Sequence, residues 1–150
     1  MREIRTEIEI GAPPQQVWAV LADILRHAEW NPFIRSITGE LKVGARLAVR
    51  IQPPDGKAMT FKPVLLNVVP NEELRWLGRL LLPGIFDGEH IFELTPIENG
   101  ERTRFVQREE FRGVLVPLLW KSLDTDTRGG FEAMNQVLKE RVEGQGGSQA

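Results

Sequence analysis

Cysteine is absent from the chain, which excludes a disulfide framework, a thiolate metal site and a cysteine nucleophile and fits a cytoplasmic protein. Histidine is scarce. His27 and His90 are the two present, far apart and without a second ligand at metal-binding spacing, so no metal site is expected. There is no excess of positive charge either. The 19 basic and 21 acidic residues are interspersed, for a formal net charge of −2. No basic stripe is offered to a phosphate backbone, so nucleic acid is not an expected partner. No apolar run approaches membrane-spanning length, and Met1-Arg2-Glu3-Ile4-Arg5 alternates charged with apolar residues, unlike a secretory leader. The expectation is a cytoplasmic protein with no integral membrane segment and no cofactor, as a monomer or homodimer.

What is present suffices for one ordinary domain. A chain of 150 residues can bury roughly 70% of its unfolded surface without staples. Residues 3–10 alternate, with Ile4, Ile8 and Ile10 on one side and Glu3, Glu7 and Glu9 on the other, the period of a half-buried strand. Gly11-Ala12-Pro13-Pro14 stops it. Val17, Leu21 and Ile24 then recur at helical spacing, predicting a helix over about 14–25 with proline in its first turn. The segment His27-Ala28-Glu29-Trp30-Asn31-Pro32-Phe33 supports at most a short second helix, with His27 a solvent-facing helix-end residue and Pro32 holding Asn31 out of the α region.

Six strands follow, at about 35–41, 45–52, 58–69, 73–81, 86–96 and 101–112. The separators are turn-forming: Val43-Gly44, Pro53-Pro54-Asp55-Gly56, Pro70-Asn71-Glu72 and Glu98-Asn99-Gly100. Gaps this short join antiparallel neighbours, because parallel ones need long crossovers. The last third predicts a helix over about 115–142, with Leu119, Leu123, Thr127, Met134 and Leu138 near one face and Phe131 beside them. Gly129-Gly130 inside it costs about 2 kcal/mol relative to alanine, which calls for a close approach or a kink. Residues 144–150 read as a polar, disordered tail. So long an amphipathic helix must bury its stripe, and the concave face of a twisted sheet is the surface available. The fold class is α+β.

The chain resembles the polyketide cyclase/dehydrase group of the START-like (SRPBCC), helix-grip or Bet v 1-type superfamily. The resemblance is carried by Ile8-Glu9-Ile10 followed by Ala12-Pro13-Pro14-Gln15-Gln16-Val17-Trp18. It continues through Trp30-Asn31-Pro32-Phe33, Glu73-Leu74-Arg75-Trp76-Leu77-Gly78 and Gly88-Glu89-His90-Ile91-Phe92-Glu93-Leu94. Thr103-Arg104-Phe105 and Glu109-Glu110-Phe111-Arg112-Gly113 extend it into the last helix. It implies a helix-grip domain over 1–143: a seven-stranded curved antiparallel sheet wrapped around the C-terminal helix, with two short helices after strand 1. Across the superfamily the cavity so enclosed takes lipids, sterols, polyketides and plant hormones. Some members are enzymes and many are binders.

A hairpin centred on Asn99-Gly100 sets Leu94 opposite Phe105, Phe92 opposite Gln107 and His90 opposite Glu109. Phe92, Leu94, Phe105 and Phe111 make this face apolar, so His90, Gln107 and Glu109 point inward. Opposed side chains lie about 5 Å apart at Cβ, within reach of an imidazole–carboxylate hydrogen bond. Burial opposes the imidazolium and the carboxylate favours it, so the two could share a proton. Three readings fit the pair: acid/base catalysis, orientation of a ligand, and a satisfied structural contact. In the preceding hairpin, Leu74, Trp76, Gly78 and Leu80 share a face with Phe61, Leu65, Asn67 and Val69. Taken as inward, that face sets Asn67 opposite Trp76.

Trp30 and Phe33 from the short helical segment, with Phe86 and the apolar loop 81–86, could rim an entrance. That loop suits a lid, a contact surface or plain packing. Phe131 and Met134 would complete the pocket from the helix. Ser122, Asp124 and Asp126 lack a histidine and a strained turn, and Gly129-Gly130 lacks a phosphate-loop lysine, so neither makes a site. The function expected is binding of a hydrophobic small molecule, such as a lipid, quinone or polyketide. A cyclase/dehydrase-type enzyme using His90 and Glu109, and a co-chaperone-like interaction module, are the alternatives.

Overall fold

A computed structural model describes residues 1–52, 58–80 and 82–148, with backbone alone for Leu80 and residues 146–148. The opening alternation forms β1 (Arg2–Ile10), with Ile4, Thr6 and Ile10 buried on one side and Glu3, Glu7 and Glu9 exposed on the other. Helix α1 (Pro14–Leu21) begins on proline and buries Val17, Val20 and Leu21. It ends earlier than its periodicity predicts. The Leu21 carbonyl, which a longer helix would use, accepts a hydrogen bond from Nε2 of His27 at 2.7 Å, and the chain tightens into a 3₁₀ turn over Ile24–Glu29. His27 is therefore 1% exposed rather than solvent-facing. Burial pushes its imidazole below the ordinary value, against the Leu21 carbonyl and the Asp23 charge, which raise it. The Asn31 side-chain oxygen then accepts the N–H groups of Phe33 and Ile34, fixing the exit of this segment.

The strands that follow are β2 (Ile34–Thr38), β3 (Ala48–Ile51), β4 (Met59–Phe61), β5 (Val64–Val69), β6 (Glu73–Leu80), β7 (Phe86–Ile97) and β8 (Arg102–Arg112). The expected single sheet of seven strands is thereby corrected: among the described residues there are eight strands in two antiparallel sheets, β1-β8-β7-β6-β5 and β2-β3-β4. Pro63 is the cause. Without an N–H it cannot continue a ladder, so the run expected over 58–69 divides, β4 pairing with β3 and β5 with β6. The sheets remain stitched, because Leu47 donates to the Pro63 carbonyl at 2.9 Å and Leu65 donates to that of Ala45 at 2.9 Å. The turn expected at Pro53-Pro54-Asp55-Gly56 and residue Leu81 lie outside the described residues.

Helix α2 (Val116–Ser148) is longer than expected and unevenly packed. Phe131, Met134, Asn135, Leu138 and Val142 are buried, whereas no residue from Pro117 to Gly130 is more than half-buried. The change falls at Gly129-Gly130, where the Phe33 ring comes within 3.2 Å of the place a Gly130 Cβ would occupy. This is the close approach that the glycine pair called for, made to the segment before β2 rather than to the sheet.

The outer face of the five-stranded sheet carries the charges. Arg75 bridges Glu73 at 3.2 Å and Glu89 at 2.6 Å, and Arg108 bridges Glu93 at 2.7 Å and Glu3 at 3.0 Å. Partial burial works against the Glu73 carboxylate, but hydrogen bonds from Asn67 and Arg75 and the nearby guanidinium charges outweigh it and hold the group below its ordinary value.

Candidate functional site

The β7–β8 register sets Leu94 opposite Phe105, Phe92 opposite Gln107 and His90 opposite Glu109. The inner face carries Leu74 and Trp76 from β6, His90 and Phe92 from β7, Phe105, Gln107 and Phe111 from β8, and Ile4 and Thr6 from β1, all buried. His90 is 7% exposed, packed against the rings of Phe92, Phe131 and Trp76 at centroid distances of 4.4, 4.8 and 5.2 Å. Burying one such Phe or Trp contributes about 1.5–3 kcal/mol, so this cluster stabilises the fold as well as walling the imidazole.

Both ring nitrogens of His90 are engaged. Nδ1 lies 3.1 Å from Glu109 Oε1, and Nε2 lies 3.0 Å from Gln107 Oε1. Gln107 Nε2 donates to Asn135 Oδ1 at 2.7 Å, and Asn135 Nδ2 donates to Thr6 Oγ1 at 2.9 Å. The Thr6 hydroxyl closes the series by donating to the Gln107 backbone carbonyl at 2.9 Å.

The direction of this series is set by valence. A hydroxyl has one proton, and here the Gln107 carbonyl takes it, so Thr6 Oγ1 must accept from the Asn135 amide. Asn135 then turns its oxygen to the Gln107 amide, and Gln107 turns its oxygen to His90. An amide oxygen accepts only, so Nε2 of His90 carries a proton. Nδ1, on the other side of the ring, is left to Glu109 Oε1.

Glu109 reaches His90 because residue 88, its neighbour on the inner face, is glycine. A Cβ at Gly88 would lie 2.6 Å from Glu109 Oε2. Gly88 faces Gly78 across β6 and β7, and Phe61 lies 3.6 Å from the position of a Gly78 Cβ. The sheet floor beside the carboxylate therefore carries no side chain over two adjoining strands. Phe61 and Phe86 are half-buried along this edge, with Phe86 leaning on Phe111 at 5.8 Å.

The other expected site residues lie elsewhere. A bulge between Leu65 and Asn67 sets Asn67 opposite Arg75 rather than Trp76, so its amide is on the outer face, donating to Glu73 at 2.6 Å. Leu65 takes the place opposite Trp76. Trp30 packs on His27 at 4.8 Å and lines a surface cleft of about 230 Å³ with Arg26 and Arg141. Phe33 covers Gly130, and Met134 is buried in the main core. Leu80 closes β6 opposite Phe86. A second cleft of about 150 Å³ lies by Arg2 and Val116. Neither cleft is lined by His90, and in this conformation the rings close around it. In the described part of the 81–86 loop, residues 82–86, Leu82 is exposed, as are Val114 and Leu118, and Val114 N–H donates to the Gly84 carbonyl at 3.0 Å just ahead of α2.

Sequence reasoning missed Thr6 and Asn135. Thr6 falls midway between Ile4 and Ile8 on the inward period of β1, and Asn135 lies four residues after Phe131 on the same helical stripe. Both signals were available. Among the described residues, no helix is long and apolar enough to cross a membrane.

An antiparallel sheet gripping one long C-terminal helix, with polar groups set into an aromatic inner face, defines the helix-grip class. The family model for polyketide cyclase/dehydrase and lipid transport matches residues 1–143, and the chain belongs to this family. Among solved structures it is similar to the Zhui aromatase/cyclase from Streptomyces sp. R1128, with 17% identity over 95% of this chain and 93% of that one and a TM-score of 0.78. TTHA0849 from Thermus thermophilus is similar at 21% identity, over 96% and 99% of the two chains, with a TM-score of 0.75. CV1439 from Chromobacterium violaceum is similar at 22% identity, over 94% and 96%, with a TM-score of 0.72. No curated protein matches the chain.

Proposed function

We propose that this protein binds a hydrophobic small molecule between the inner sheet face and the N-terminal half of α2, above the Gly78–Gly88 floor. The observation that carries this reading is a polar group held ready inside an aromatic enclosure. Among the described residues Glu109 Oε2 has no protein partner, its side chain is 19% exposed, and it lies at the one stretch of floor without side chains. Apolar walls with a few convergent polar groups are the make-up of a small-molecule site. The family's association with polyketide chemistry and lipid transport supports the same reading.

The test is native mass spectrometry of protein from its own host, looking for a retained small molecule, paired with titration by neutral naphthalene read through tryptophan fluorescence. The reading expects saturable quenching that Gly78→Val abolishes by filling the floor. Failure of naphthalene and of every host-derived molecule to bind would overturn it.

The 3.1 Å contact between His90 and Glu109 favours a second reading, an enzyme of the cyclase/dehydrase type. Glu109 would take a proton from carbon next to a carbonyl and return it to oxygen, with His90 balancing the charge. This reading expects His90→Ala to abolish turnover of a poly-carbonyl substrate while leaving the circular dichroism spectrum unchanged.

A further inference from the structure

We infer that Glu109, not His90, is the group that meets the ligand, and that the ligand class is an apolar molecule presenting a neutral hydroxyl, a phenol or an alcohol, rather than a carboxylate. The inference rests on the binding reading above and deepens it. The imidazole has two nitrogens and both are spent inside the protein, on Gln107 and Glu109. Its faces are covered by Phe92, Phe131 and Trp76. No edge of His90 is left to hydrogen-bond a guest without dismantling the series that runs back to Thr6.

Glu109 is different. Oε1 is held by His90, while Oε2 is turned over Gly88 with no protein partner among the described residues. An oxygen in that state accepts a proton donor. The His90 contact also fixes the carboxylate's rotamer, so the acceptor is oriented before the ligand arrives, which reduces the cost of ordering it on binding. A ligand hydroxyl at Oε2 satisfies it with a charge-assisted hydrogen bond. A ligand carboxylate would set two like charges together in a partly desolvated site, which is unfavourable.

The aromatic boundary suits a planar partner. Phe61 lies over Gly78, 3.6 Å from where its Cβ would be, with Phe86 and Trp76 on the same inner face, and stacking on such rings is the contact they offer. His90, Gln107, Asn135 and Thr6 are in this account positioning residues, which keep the carboxylate pointed over the glycines.

The experiment compares three planar probes of nearly equal size, 2-naphthol, naphthalene and 2-naphthoate, against the wild type, Glu109→Leu and Glu109→Gln by isothermal calorimetry. In the wild type the naphthol should bind on the order of tenfold or more tighter than naphthalene, the worth of one hydrogen bond to a charged group, and the naphthoate more weakly than naphthalene. In Glu109→Leu the naphthol should fall to the naphthalene level. In Glu109→Gln, the amide N–H can satisfy His90 Nδ1 and its oxygen still accept, now without the charge, so a reduced naphthol preference of a few-fold should return. Naphthalene affinity in each variant reports whether the enclosure itself survives. If the leucine variant loses naphthalene too, the glutamine variant decides. Naphthol affinity unaffected by Glu109→Leu, no naphthol preference in Glu109→Gln, or naphthoate binding the wild type as tightly as naphthol overturns the inference and leaves the binding reading standing. Binding of none of the three to the wild type overturns the inference, and the binding reading falls with it when no host-derived molecule is retained either.

Discussion

His27 lies buried and neutral against the Leu21 carbonyl, with its folded-state value lowered by burial. The unfolded chain takes up a proton at that imidazole near pH 6.5, the ordinary value, before the folded chain does. Stability should therefore fall as pH drops from about 7.5 towards 5.5. His27→Gln should flatten that slope, as measured by the denaturant midpoint at the two pH values. Asn135→Leu makes a different point. It removes the nearer acceptor of Gln107 Nε2, at a cost of about 1–3 kcal/mol, and leaves the amide held only by the Phe131 carbonyl at 3.5 Å, so that it can turn over. Nitrogen-15 spectra of His90, with His27 the other imidazole present, should then show Nε2 losing its proton in part of the population. An unchanged tautomer would show that Asn135 does not set it. At this scale the sequence was legible where alternation was unbroken: His90, Gln107 and Glu109 face inward because β7 and β8 pair without a slip. Asn67 was misread because the bulge beside it adds a residue, which turns every later side chain to the opposite face.

Among the elements, glycines give the sharpest tests. Gly88→Ala places a methyl against the Glu109 carboxylate, the flexible end of a side chain. The fold should tolerate it, with a change in stability under about 1 kcal/mol. The contact between Glu109 and His90 should break, read by His90 nitrogen shifts alongside an unchanged melting temperature. On α2, Gly129 has open space around it and Gly130 has the Phe33 ring. Gly129→Ala should raise stability by about 1 kcal/mol, and Gly130→Ala should gain less or lose, both measured by urea denaturation. Element boundaries were legible where turn chemistry marked them, as at Glu98-Asn99-Gly100. They were lost where a single residue acted through the backbone: Pro63 dividing one expected strand, and the His27 side chain ending α1 early. Neither effect has a period that a pattern can register.

For the whole molecule, the outer-face ion pairs and the inner-face polar series are two faces of the same strands, since alternate residues of β7 and β8 serve each. Glu73 is held below its ordinary value of 4.5, so the stability it contributes is present above about that pH, where the unfolded chain titrates. That contribution is lost as pH falls through the lower folded value. This window lies below the one set by His27, and Asn67→Ala should narrow it, as followed by acid titration of the circular dichroism signal. The α+β class was legible because turn spacing and one long amphipathic stripe leave few ways to bury the apolar surface, but the division into two sheets was not. The ring contacts around His90 were not, because periodicity tells which residues face inward and not how closely they meet. The uneven packing of α2 bears on those contacts. Before Phe131 the helix rests on fewer buried side chains, Val116 with Trp120 and Leu123 packed beside it, so amide hydrogens over 117–130 should exchange before those over 131–143. If the binding reading holds, a guest would enter at the cost of a local fraying of the first turns, with no need for the whole domain to unfold.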